Sequence, residues 1–393
     1  MTESGGIINT GLRGVPVAST RICLVDGKNA KLIYRGYNIT DLAENATFEE
    51  VVHLLLFEHL PAAGELDYLK QRLAEEQSVS DGIISALKTR PVDSAPMDIL
   101  QACVAMLANH DPEAGVLSRE KATETAIRLI AKLPVVAAAW NRIRNGMDPL
   151  PPDPDLGHAG NFLYMLTGTK PDEELARFMD LCLVLHAEHS FNASTFSARQ
   201  VASTRAHMYA AIAAAVGSLS GELHGGANAR VMQMLLEIGT QDAVDDYVES
   251  RIRAGEKIMG MGHPVYKTGD PRAGILGPMS KRMGEKTGNT GWYELSEAVR
   301  RKTQEVFKKL KGTGIYPNVD FYSATVYYAM GIPVDMFTPI FAVSRISGWC
   351  AHVIEEQFAG AAPKPALYRP SSQYVGEYCG PAECSFVPME KRG

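Results

Sequence analysis

Apolar positions recur every three to four residues over most of the chain, and one short stretch alternates in steps of two. That stretch, residues 17–37, alternates around Asp26-Gly27 and predicts a β-hairpin. From Thr47 the period becomes helical. Thr47 and Glu50 have capping-box spacing, and the apolar run behind them stops at Leu60-Pro61. Leu66, Leu69 and Leu73 mark the next helix and residues 99–107 another. Ser118 opens a long alanine-rich helix that Pro134 is expected to kink or split. The Pro-rich segment at 148–157 interrupts the pattern, which resumes at 162–166, 171–191 and 203–219. Beyond glycine-rich loops at 221–226 and 260–277, helical patterns return at 242–256, 292–311 and 320–330, and after Pro333. The predicted class is all-α with a minor N-terminal β-hairpin, and no internal repeat is visible.

Composition narrows the class. With 393 residues, 46% apolar and 21% charged, the chain can bury a sizeable core and form two domains. Its longest apolar stretch, 208–219, is broken by Gly217-Ser218 and is too short for a bilayer. The N-terminal MTESGGIINTG lacks the basic and apolar regions of a signal peptide, so a cytoplasmic location is expected, with no membrane partner. Six cysteines without a C-x-x-C pair give neither a disulfide frame nor a zinc ribbon, and Cys379 and Cys384 are expected to be loop thiols, with a loose pair as the alternative. Net charge is −6, yet residues 251–311 carry fourteen Lys and Arg against six acids. A basic segment in an acidic chain points to an anionic partner. Nucleic acid is not expected, because no reading motif or interleaved aromatics accompany it. A cofactor with several phosphates fits better. The glycines, lysines and threonine of 277–287 imitate a phosphate loop, but Glu285 interrupts the motif and no strand precedes it.

Chemistry concentrates in five segments. GEKIMGMGHPVYKTGDPRA, 255–273, sets His263 in a tight turn and Arg272 behind Asp270-Pro271, where a helix can begin. A neutral donor and a fixed cation facing one space suit a small anion whose carbonyl is polarised while a carboxylate is held. The alternative is a surface turn with an incidental histidine. HAEHSFNAS, 186–194, is expected to align His186, His189 and Asn192 on one helix face; a metal there would need a third ligand. GELHGGANA, 221–229, holds His224 among glycines, with a structural histidine as the alternative. In YPNVDFYSA, Asp320 is either an N-cap or a desolvated carboxylate acting as a base. Arg345, in an apolar helix, and Arg369, in a turn, need anions.

These segments, with YRGYNITDLAENATFEE near the start, FAVSRISGW around Arg345 and LYRPSSQYVG around Arg369, closely resemble the citrate synthase family over roughly residues 10–390. The resemblance implies a homodimer of helical subunits, with a large domain at about 1–227 plus 331–393 and a small domain at about 228–330 that closes over the substrates. It implies condensation of acetyl-CoA with oxaloacetate and hydrolysis of citryl-CoA, with no metal and no permanently bound cofactor. Asp320 would be the base, His224 would hydrogen-bond the thioester oxygen, and His263 would polarise the ketone. Arg272, Arg345 and Arg369 would clamp carboxylates, Arg369 from the partner subunit, with His189 and Asn192 assisting. CoA would meet the backbone of Lys257, Ile258, Met259, Gly260 and Met261, and its phosphates Lys267 and Lys311. Pro264 and Gly269 depart from the family pattern beside that path, where arginine and an aromatic are common. The glycines at 225–226 and 260–262 are the expected hinges. Competing readings are 2-methylcitrate synthase acting on propionyl-CoA, a non-catalytic CoA-binding protein, and a metal hydrolase built on His186 and His189.

Overall fold

The computed structural model describes residues 10–12, 14–372, 374 and 384–392. Among them are sixteen α-helices and one small antiparallel sheet. The predicted hairpin is present, Cys23–Asp26 pairing with Lys31–Tyr34 across a four-residue turn, and a two-residue strand Tyr37–Asn38 extends it to three strands. Register follows burial: Ile22, Leu32 and Tyr34 turn inward while Leu24 and Tyr37 stay exposed.

Helix boundaries follow the cap chemistry. Thr47 Oγ1 accepts the Glu50 amide at 3.3 Å and Glu50 Oε2 accepts the Thr47 amide at 2.7 Å, starting helix Phe48–Phe57. Ser118 caps Arg119–Arg144, which runs through Pro134 as one helix, so Pro134 does not split it. Pro134 and its neighbours Leu133, Val135 and Val136 are all buried, so packing holds the turn that lacks a donor. The stretch expected at 171–191 ends at His186, and Asn192 caps a separate helix, Ala193–Ala202, by accepting the Thr195 amide at 3.0 Å. His186, His189 and Asn192 therefore do not share a helix face. Helices Asp81–Lys88 and Ala227–Ile238 also lie outside the predicted set, and the loop expected to reach 277 ends at Asp270, where helix Pro271–Thr287 begins.

Phe337–Gln357 is the axis of the core. Buried on nearly every side, it packs against Phe48–Phe57, Arg119–Arg144, Glu173–His186, Ala193–Ala202 and Met208–Leu219. Polar residues of its C-terminal half are paired: Arg199 meets Glu355 at 2.7 Å and Glu356 at 2.6 Å, and His352 Nε2 meets Glu188 at 3.0 Å. A second group, Ala227–Ile238, Val244–Arg253, Pro271–Thr287, Gly291–Lys311 and Val319–Ala329, packs mainly within itself. Among the described residues no helix is long and apolar enough to cross a membrane. Cys384 is disulfide-bonded, which corrects the expected loop thiol; Cys379 lies outside the described residues.

Candidate active site

Two strand-like segments bring the turn histidine to the buried carboxylate. Gly262 donates to Tyr316 O at 2.7 Å, Asn318 donates to Gly260 O at 2.9 Å, and Asn318 Nδ2 reaches Gly262 O at 2.9 Å. This pins residues 260–262 against 316–318 and sets His263 near Asp320. A Cβ at Gly260 would fall 2.7 Å from Val231 Cγ2 and 2.9 Å from Phe321 Cδ2, and one at Gly225 would fall 1.8 Å from Leu219 O. Close approach therefore demands glycine at these expected hinge positions.

The result is a cavity of about 570 Å³. It brings together His189, Asn192, His224, His263, Arg272, Asp320 and Arg345, which lie far apart in sequence. A slightly larger cavity, about 620 Å³, lies around His158 and Asp180, where two of the lining carboxylates are paired locally, Asp180 with Arg177 and Asp153 with Lys170.

Both catalytic-type histidines are neutral donors whose tautomers the backbone fixes. His263 Nδ1 accepts from the amides of Val265 at 3.0 Å and Tyr266 at 3.2 Å, so its proton is on Nε2. His224 Nε2 accepts the Ser194 amide at 3.1 Å, which puts its proton on Nδ1. Burial, reinforced by Arg272 for His263 and by Arg345 for His224, lowers each to about 4. His189 lies beside His263, its Nε2 3.1 Å from the Tyr266 hydroxyl.

Asp320 is not the N-cap that one reading allowed. Asn318 takes that role, its Oδ1 accepting the Asp320 amide at 3.0 Å, and no described residue donates to the Asp320 carboxylate. Burial raises this carboxyl to about 6, against the lowering pull of Arg272. It is a carboxylate poised to take a proton near neutral pH.

The arginines differ in how much of each is free. Arg272 spends one edge on Asp270, Nη2 to Oδ2 at 2.7 Å and Nε to Oδ1 at 2.9 Å, and Asp270 also holds the Val319 amide at 3.1 Å. The bidentate pairing of Arg272 is thus made to Asp270, leaving the Nη1 side open. Arg345, 1% exposed, donates Nε to His186 O at 2.6 Å and stacks on Phe341, and no carboxylate among the described residues forms an ion pair with it. Arg369 is exposed and does not line this cavity in its own chain. His186 turns its Nδ1 to Cys182 O at 2.7 Å and packs by Tyr327 and Phe341, away from His189's partners. Lys257, Lys267 and Lys311 are exposed and form no ion pair among the described residues, Met259 and Met261 are partly buried, and Ile258 and Gly260 are buried.

Three further residues, none given a role from the sequence, belong to the site. Ser194 orients His224: its Oγ lies 2.8 Å from Nε2 and 2.7 Å from Asn192 Oδ1, and accepts from Trp349 Nε1 at 3.1 Å. Asn192 itself is occupied by capping and by this relay. Asn228 lines the cavity with its Nδ2 buried and unpartnered. Gly27, at the hairpin turn, accepts the Lys267 amide at 3.0 Å, and a Cβ there would sit 2.3 Å from Val265 O. Gly27→Val is therefore expected to push the 263–267 loop aside and lower kcat/KM by about 10- to 100-fold, the kinetic equivalent of a steric misfit of about 1–3 kcal/mol. Steady-state rates and thermal melts check this; full activity would show that the contact does not position His263.

Comparison with known proteins supplies the wider frame. The family profile described as citrate synthase, C-terminal domain, matches residues 11–371. The citrate synthase of Haloferax volcanii is 44% identical over 392 residues, covering 98% of this chain and 100% of that protein. A citrate/2-methylcitrate synthase of Bacillus subtilis is 38% identical, covering 93% and 96%. A solved structure of Thermoplasma acidophilum citrate synthase, in a ternary complex with carboxymethyl coenzyme A and oxaloacetate, superposes with a TM-score of 0.88 at 31% identity, covering 98% and 99%.

Proposed function

The chain belongs to the citrate synthase family of acyltransferases, and from that premise we propose that it condenses acetyl-CoA with oxaloacetate and hydrolyses citryl-CoA to citrate and CoA. The observation that carries the reading is Arg345: a buried guanidinium without an ion-pair partner among the described residues, lining the same cavity as Arg272. Two cations with unspent donors ask for a small polycarboxylate.

Asp320 removes a proton from the acetyl methyl group, and the Nδ1–H of His224 meets the charge that develops on the thioester oxygen. The Nε2–H of His263 polarises the ketone of oxaloacetate and passes its proton to the new alkoxide as the carbon–carbon bond forms. Water then cleaves the thioester, releasing CoA. Arg272 and Arg345 hold carboxylates, His189 and Asn192 support them, and Arg369 completes the site of a partner subunit in a homodimer. CoA lies along the backbone of 257–261, with Lys267 and Lys311 at its phosphates. The helices of 228–330 form the lid domain, whose closure excludes water.

The Bacillus relative whose name covers both reactions favours keeping propionyl-CoA as the second reading. One added methylene shifts preference by only about 1–3 kcal/mol in an apolar pocket. Thiol release by the purified protein, measured with each acyl-CoA, tests both. Oxaloacetate-dependent release with the higher kcat/KM for acetyl-CoA is expected; a tenfold or greater preference for propionyl-CoA would overturn the choice, and no release at all would leave a CoA-binding protein.

A further inference from the structure

The turn between helices Phe48–Phe57 and Ala63–Glu75 gathers two histidines and a glutamate that the chemistry above does not use. One ligand atom from each of His53, His59 and Glu65 lies within 4.8 Å of the other two. None of these residues lines the 570 Å³ cavity. The two rings meet edge to face with centres 4.9 Å apart. Two imidazoles bound through nitrogen to one ion at about 2.0–2.1 Å have centres roughly 5 Å apart, so little movement is needed.

All three side chains are already oriented by the backbone. His53 Nδ1 is 3.0 Å from His59 O, and His59 Nδ1 is 3.0 Å from Phe57 O. A carbonyl only accepts, so each Nδ1 carries the proton and each Nε2 keeps its lone pair. Glu65 Oε2 accepts the Ala62 amide at 2.8 Å. Backbone anchoring of the far side of each ligand is the outer arrangement that metal-binding histidines use.

The second nitrogen of His59 faces the Glu65 carboxylate. His59 Nε2 lies 3.2 Å and 3.3 Å from the two Glu65 oxygens, a pairing that either a proton or a metal cation between them satisfies. His53, 4% exposed, has no described partner for Nε2. The site is open on one side, since His59 and Glu65 are exposed, which leaves room for water as a further ligand.

We propose that His53, His59 and Glu65 bind a borderline divalent cation of the Zn²⁺ class, fastening the end of the first helix to the start of the second. Two imidazoles and a carboxylate select Zn²⁺, Ni²⁺ or Cu²⁺ over Mg²⁺. The competing occupant is a proton on His59, which the Phe57 carbonyl and the Glu65 carboxylate favour. The ion is structural and takes no part in the condensation.

The test is calorimetric titration of the full-length, EDTA-stripped protein with ZnCl₂ at pH 7.5, with MgCl₂ as control. One equivalent of Zn²⁺ per chain is expected, weakened by at least about tenfold in His59→Ala and in Glu65→Gln. Both substitutions are at exposed side chains, and circular dichroism confirms that the variants fold. Absence of saturable Zn²⁺ uptake, uptake unchanged in both variants, or Mg²⁺ binding as tight as Zn²⁺ would each overturn the proposal.

Discussion

Asp320→Asn is expected to lower kcat by about 10²–10⁴-fold and, at pH 7, to raise the melting temperature of the substrate-free protein. Both effects have one cause. Burial raises the Asp320 carboxyl to about 6, whereas in the unfolded chain it titrates near about 4. Between those values the unfolded state has released its proton while the folded state retains it, so stability falls as pH rises through the window. Above it, the ionised carboxylate costs the fold up to about 2–3 kcal/mol. Asparagine removes that cost at neutral pH and confers no benefit below about pH 4. The same ionisation governs the rate: wild-type kcat/KM is expected to fall about tenfold per pH unit below about 6. Melts across pH 4 to 7.5, with steady-state rates, check both. An active variant, or one melting below wild type at pH 7, is incompatible with a desolvated base.

Arg345→Met is expected to reduce kcat/KM for oxaloacetate by roughly 30- to several-thousand-fold, the equivalent of about 2–5 kcal/mol for a buried ionic contact. Methionine fills the aliphatic volume against Phe341 but gives up Nε to His186 O and the free Nη groups. Without ligand, the lost hydrogen bond is set against removal of a buried guanidinium that burial already penalises, so little destabilisation is expected. Arg345→Lys is not expected to restore the rate, because an ammonium lacks the fork geometry. Equal oxaloacetate kinetics in wild type and Arg345→Met would remove Arg345 from the substrate's contacts.

Much of the site is readable from short segments because its chemistry sits where local rules break. Glycine-flanked His224 and His263 lie in turns, and Arg345 lies in an otherwise apolar helix that buries it. The base could not be assigned from local rules alone: Asp320 follows Pro317-Asn318 and fits an N-cap as well as a base, and the structure decides by giving the cap to Asn318. Long-range partners leave no local trace. The Trp349, Ser194 and His224 relay spans the chain, and the contact of Gly27 with Val265 depends on how the sheet docks. Helix ends misled where apolar spacing continued past the true stop. The pattern of 171–191 reads as one helix, yet the chain turns after His186 and restarts at the Asn192 cap. At Pro134 the helix continues where a split was one of the two outcomes expected, because tertiary packing holds the turn.

The most direct measurement is a crystal structure with oxaloacetate bound. The account predicts carboxylates on the open side of Arg272 and on Arg345, with the ketone oxygen within hydrogen-bonding distance of His263 Nε2. Oxaloacetate lying outside this cavity, or bound there with Arg345 still unpaired and His263 turned away, would contradict it.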